Sequence, residues 1–195
     1  MKQIEYFYNA MYYFFYRATI RFANFVTKPI FFIYSYIYKI PKIKKRFLNK
    51  GIDDPLEWHK QKYKNELLEN PSLSYGTMIG HGLATSIIFF IYFGVYHIIR
   101  NLLFPTYGDE ALYTFIIFGI LAYVTDVIFT QIDDKDVKYI KEFNEKKGWW
   151  RIKWSIITIF TFLVSLWFVI STSDYGAIGQ YLLSLSGNYT YPNNP

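Results

Sequence analysis

Apolar positions gather into three long runs and one interrupted run. Leu83 to Ile99 is 17 residues without a formal charge, inside a longer stretch free of Lys, Arg, Asp and Glu from Pro71 to Ile99. Ala111 to Ile132 is 22 residues with one charge, Asp126, and Trp154 to Ser173 is 20 residues with none. A helix needs about 20 predominantly apolar residues to cross roughly 30 Å of hydrocarbon. Lipid cannot satisfy open backbone groups, so each run is predicted as a membrane-spanning helix. The alternating segments of about 10 residues that a barrel requires are not visible.

The interrupted run occupies the N-terminal quarter. Arg17, Arg21, Asn24 and Lys28 fall at i, i+4, i+7 and i+11, a polar stripe on one helix face. Around them lie Tyr12, Phe14, Phe15, Ile20, Phe22, Phe25 and Val26. Such a helix suits the membrane interface, basic face to the headgroups and rings toward the acyl chains. Pro29 is expected to break or bend it. Ile30 to Ile40 is apolar but only 11 residues long, too short to cross alone, and Lys42, Lys44, Lys45 and Arg46 follow. A competing reading makes Ala18 to Tyr38 a fourth span, at roughly 2.5–3.5 kcal/mol for each of Arg21 and Lys28 near its centre.

The expected fold is therefore an all-α membrane protein, with three transmembrane helices preceded by an aromatic amphipathic interfacial arm. Residues 1–49 form the arm and 50–77 a helical connector. Residues 78–173 form the transmembrane domain, with its loop at 133–153, and 174–195 a tail. In the connector, Asp54, Pro55 and Glu57 read as a helix start, with Asp54 as the cap. A second short helix is expected from Asp133 or Asp134 until Gly148.

Charge sets the expected threading. Thirteen of the 21 Lys and Arg precede the first span, Arg100 stands alone between the first two, seven lie between the second and third, and none follows Lys153. The positive-inside rule puts the N-terminus and the second loop on the cytoplasmic side of a bacterial membrane, or in the matrix of a mitochondrion. The net charge of +6 is accordingly read as a topology signal, not as a nucleic-acid footprint. Aromatic residues make up 23% of the 195, more ring surface than so short a chain hides in one core. Trp149, Trp150 and Trp154 are expected to anchor the inner membrane surface.

Candidate chemistry is sparse. Asp126 lies fifteen residues past Ala111, about 22 Å along the second span at 1.5 Å per residue. Its side chain leans toward the bilayer centre, so it must be protonated or face a protein partner. His81, Arg151 and Lys153 are expected near the same depth. The site reads as an interhelix clamp or, on the rival view, as a proton or cation site. His81 and His97 are sixteen residues apart and cannot share a metal. Gly80, Gly82, Ala84 and Ser86 on the first span, and Ser155, Thr158, Thr161 and Ser165 on the third, are small-residue stripes that allow close helix approach. Cys is absent, which removes thiol chemistry. No phosphate-binding glycine loop, H-E-x-x-H or G-x-S-x-G pattern occurs. No metal, cofactor or catalytic role is expected.

The leading expectation is a non-enzymatic subunit of a larger membrane complex, in contact with lipids and other membrane subunits. The rival is a homo-oligomeric channel, holin-like pore or transporter subunit working through Asp126.

Overall fold

A computed structural model of the chain describes residues 2–65, 74–103 and 112–186. Helices α1 (Lys2–Ile37), α2 (Pro41–Leu48) and α3 (Pro55–Tyr63) come first, followed by the long α4 (Tyr75–Leu103). Helix α5 (Leu112–Asp126) runs into a π-helical turn, Val127–Gln131, and a 3₁₀ turn, Ile132–Asp134. Then come α6 (Lys135–Glu145), α7 (Trp149–Thr172) and α8 (Ala177–Leu185). No strand occurs among the described residues. Three helical segments are long and apolar enough to cross a membrane: Gly76–Leu103, Tyr113–Glu145 and Trp149–Leu185. The N-terminal helix α1 precedes them and is not one of them. The protein is thus an all-α integral membrane protein by the length and composition of its helices.

The chain divides into two compact units, residues 1–11 with 83–195, and residues 12–82. In the first, α4 meets α5 through Phe93 on Phe115, ring centroids 4.5 Å apart, and through Tyr92 and Thr125, whose hydroxyls lie 3.0 Å apart. It meets α7 where Gly94 receives the Phe168 ring; a Cβ there would stand 2.5 Å from that ring. Tyr6 and Phe7 of α1 set their edges against Trp154 of α7. Between α7 and α8 the chain turns so tightly that a Cβ on Gly176 or Gly179 would collide with backbone carbonyls of residues 170–173.

In the second unit α1 packs on the start of α4. Gly80 lies under Tyr12 and Tyr16, where a Cβ would stand 3.1 Å from the Tyr12 ring and 3.2 Å from the Tyr16 backbone. Asp54 caps α3 as expected, its carboxylate accepting from the Leu56 and Glu57 amides at 3.0 Å. Helix α2 begins at Pro41 and is basic and exposed.

Three expectations need correction. Pro29 does not break α1, which continues to Ile37. Proline removes one intrahelical bond, and here it sits on an exposed face, so no packed neighbour is disturbed. The arm is not uniformly interfacial: Tyr8 to Tyr13, Phe15 and Tyr16 are buried inside the protein, whereas exposed positions recur along the helix from Ala18 onward. Gly148 does not close α6, which ends at Glu145; with φ at +60° it starts α7 instead. Residues 104–111, between the first two spans, and the last part of the tail, 187–195, lie outside the described residues.

Gly179→Ala should lower the thermal unfolding midpoint in detergent, followed by circular dichroism, at an overpacking cost of about 1–3 kcal/mol. Gly82→Ala, which adds its Cβ into open space, should leave the midpoint unchanged or raise it.

Candidate functional site

The site grows from a single buried acid. Asp126 ends α5 and is 1% exposed. An isolated carboxylate in an apolar interior is costly unless paired or hydrogen-bonded. The Tyr8 hydroxyl of α1 donates to its Oδ1 at 2.6 Å. Thr85 of α4 lies beside the same phenol.

The π-helical turn that follows is part of the same construction. Widening a helix by one residue shifts its carbonyls off the regular ladder. Side chains meet two of them: Asn9 Nδ2 donates to the Phe129 carbonyl at 2.9 Å, and Lys135 Nζ to the Ile128 carbonyl at 3.2 Å. Thr130 returns its hydroxyl to the Asp126 carbonyl at 2.7 Å. Asn9 also donates to Glu5 O, one turn back on α1. Beyond the turn, Asp133 and Asp134 both hold positive φ, 62° and 54°. That left-handed pair is disfavoured for residues with a Cβ and redirects the chain into α6. Glu5 then anchors the start of α6, with Lys135 at 3.1 Å and the Tyr139 hydroxyl donating at 3.2 Å.

Sequence reasoning grouped His81, Arg151 and Lys153 with Asp126. Each of the three is described by its own surroundings. The His81 ring stacks on Tyr12, centroids 4.4 Å apart, within residues 12–82. Arg151 donates to the Asn144 carbonyl at 2.9 Å and closes the turn between α6 and α7. Lys153 is exposed.

The small-residue stripes are mixed. Gly80, Ala84, Thr158 and Ser165 are buried, Ser86, Ser155 and Thr161 are half-buried, and Gly82 faces open space. The hydroxyls of Ser86, Ser155, Thr158 and Ser165 return to carbonyls three or four residues back on their own helices. Among the tryptophans, Trp149 is exposed, whereas Trp150 packs on Phe143 and Trp154 on Tyr6 and Phe7. Of the basic residues, Arg17 donates to the Tyr13 hydroxyl at 3.2 Å; Arg21, Lys28, Lys42, Lys44, Lys45 and Arg46 are exposed.

Sequence reasoning missed Tyr8 and Asn9 because they sit inside an aromatic run. The available signal was the polar seam Glu5, Tyr8, Asn9 and Tyr12, spaced at three, one and three. It also missed a second polar cluster. Arg100 near the end of α4 is buried and pairs with Asp174 just past α7. It also donates to Asn101 Oδ1 from Nε and Nη2, and Asn101 Nδ2 donates to the Thr172 carbonyl at 3.2 Å. The C-terminal ends of α4 and α7 thereby share one cation, the sign a helix C-terminus favours.

No protein family, curated protein or solved structure matches this chain.

Tyr8→Phe should leave the Asp126 carboxylate short of a donor and cost about 1–3 kcal/mol. Asp126→Asn should cost less, since its amide oxygen still accepts from Tyr8. Thermal unfolding of the two variants in the same detergent checks the order.

Proposed function

We propose that the protein is a non-enzymatic integral membrane subunit that packs within a larger membrane complex and holds its neighbours together. It resides in a bacterial cytoplasmic membrane or a mitochondrial inner membrane, with its N-terminus on the cytoplasmic or matrix side. The observation that carries this reading is an uncovered apolar stripe on α1. Phe22, Phe25, Phe32, Ile33 and Tyr36 are between 56% and 73% exposed, and they recur at helical spacing outside the three candidate spans. Contiguous exposed apolar surface of this kind marks an interaction site. Within the spans, between 17% and 28% of each most apolar window is buried by the chain itself, which leaves broad faces for lipid and for other helices.

The lysine-rich α2 and the exposed Arg21 and Lys28 support an arm that runs along the membrane surface, basic groups toward headgroups and rings toward a neighbouring subunit. The acid that the pore reading depends on is held by Tyr8 and almost fully buried, which favours a clamp over a conduction path.

Tagged full-length protein extracted from its native membranes in mild detergent should co-elute with other membrane proteins in fixed proportion. Replacing Phe25, Ile33 and Tyr36 together by Ser should weaken that co-elution strongly with the unfolding midpoint unchanged. A lone monomer would defeat the proposal. Reconstituted wild-type protein should also leave liposomes tight to protons and K⁺; a leak abolished by Asp126→Asn would transfer the assignment to a homo-oligomeric pore.

A further inference from the structure

Helix α2 carries more charge than its surroundings balance. Four of its eight residues are Lys42, Lys44, Lys45 and Arg46. Lys42 stands one turn from both Lys45 and Arg46, and like charges at those spacings destabilise a helix. Lys42 also lies in the first turn, the end where a helix favours anions. Among the described residues no carboxylate pairs with any of the four. The imbalance extends beyond the helix: from Tyr6 to Ile52 the chain holds nine Lys and Arg and no Asp or Glu. A helix this short is marginal in water by itself, so contacts outside its own ladder must keep it folded.

One face is kept by the protein. Ile43 and Phe47, one turn apart, are half-buried. Phe47 sets its ring edge-on to Tyr38 at 5.3 Å and to His59 of α3 at 5.8 Å between centroids. Past the helix, Gly51 turns with φ at +72°, and its amide donates to the Leu48 carbonyl at 2.9 Å. The Ile52 amide donates to the Phe47 carbonyl at 3.0 Å. At the other end Ile40 is extended and Pro41 opens the helix. All of these residues belong to the unit formed by residues 12–82, so α2 is held as a fixed element of that unit.

The neighbouring face has no cover. At about 100° per residue, Ile40, Lys44 and Leu48 fall in one row, with Pro41 and Lys45 beside it. All five are exposed, Ile40 by 47% and Leu48 by 46%. The aliphatic pair suits hydrocarbon. The two ammoniums suit negative charge just above it, and a lysine stem reaches from one layer to the other. A nucleic acid would match the charge and leave Ile40 and Leu48 unmet. An apolar protein surface would match those two and strand the ammoniums. The headgroup and acyl boundary of an anionic leaflet meets both.

We propose that α2 docks on the membrane through this face, with Ile40 and Leu48 among the outermost acyl carbons and Lys44 and Lys45 at the phosphates of anionic phospholipids. The docking rests on the reading that the N-terminal arm lies along the membrane surface; it adds the class of lipid and the residues that select it. Lipid charge then offsets the repulsion that the helix carries within itself.

The absence of cysteine allows one reporter to be placed at a time. Full-length protein with Leu48→Cys or Asn49→Cys, each labelled with a nitroxide, is reconstituted in nanodiscs of phosphatidylcholine alone or of equal parts phosphatidylcholine and phosphatidylglycerol. Access of a neutral, water-soluble nickel chelate to the label is then measured. Phosphatidylglycerol should lower access at Leu48 about five-fold, the factor that one cation near a charged leaflet supplies. The label at Asn49, exposed and about 100° further round the helix, should stay open in both lipids. At molar salt, where the screening length falls to about 3 Å, the two lipids should give equal access. Lys44→Gln with Lys45→Gln should restore access in the mixed lipid, and Lys44→Arg with Lys45→Arg should keep it low. Equal access at Leu48 in the two lipids, a lipid difference that survives molar salt, equal shielding of both labels, or indifference to the Gln pair would overturn the proposal. Shielding in native membrane vesicles with none in the mixed nanodiscs would also overturn it and assign the face to an acidic protein. Circular dichroism melts, with the Arg pair as reference, separate loss of charge from loss of the fold. The nanodiscs hold no other protein. Lipid-dependent shielding of a chain that co-elutes with nothing would therefore sink the subunit reading and leave the docking standing, and co-elution without such shielding would do the reverse.

Discussion

A carboxylate inside an apolar protein interior has to be met by a donor, and the organisation of residues 1–11 with 83–195 follows from how Asp126 is met. The donor is a phenol on a helix that the linear sequence places more than a hundred residues away. Bringing Tyr8 to Asp126 draws the third turn of α1 into the core, where Tyr8, Asn9, Ala10 and Met11 are each under 5% exposed. Once there, Asn9 and Glu5 find the carbonyls and cations of the π-helical turn and of α6. The turn and the helix account for each other. Without the widened turn the Phe129 carbonyl would sit in a regular ladder, and without Asn9 that carbonyl would be a buried acceptor with one donor fewer.

At the other end of α4 and α7 the same rule works with the opposite sign. Arg100 is a buried cation, and the two helices offer it their C-terminal ends as well as Asp174 and Asn101. Both clusters sit at helix ends, and the contacts between them are rings and small residues: Phe93 on Phe115, Phe90 beside Phe162, Gly94 under Phe168. Polar groups at the ends specify which helix meets which, because mispairing would leave a charge unmatched. The apolar middle supplies contact area with little power to choose.

This division explains what could be read from the amino acids. The three spans are composition problems: absence of charge over about 20 residues needs no knowledge of neighbours, and the helices fall on those runs. Asp54 and Pro55 act within three residues of each other, so the α3 start was legible as well. Asp126 stood out because it was one charge in a greasy run. Its partner did not, because a tyrosine among twenty tyrosines carries no local mark. The burial of Tyr12 and Tyr16 was hidden for the same reason: periodicity reports that a helix has two faces and is silent on whether a ring face meets lipid or Gly80. The packing of α3 on α1 depends on a return of the chain that no local pattern encodes.

The abundance of tyrosine acquires a reason in this light. Short hydroxyls on a helix fold back onto their own carbonyls, as Thr158, Ser165 and Thr172 do on α7, and so spend their proton within one helix. A phenol holds its hydroxyl beyond the reach of its own backbone, at the end of a rigid apolar ring that loses little conformational entropy on packing. Tyr8 to Asp126, Tyr92 to Thr125 and Tyr139 to Glu5 each cross between helices in this way. In a bilayer, where burial of apolar surface drives no association between helices, such bonds supply the specificity that a water-soluble core draws partly from the hydrophobic effect. The same chemistry predisposes the rest of the tyrosines. On α1, Tyr36 is 58% exposed with its ring edge-on to Phe32, so the residue type that joins helices inside this chain also stands on its surface.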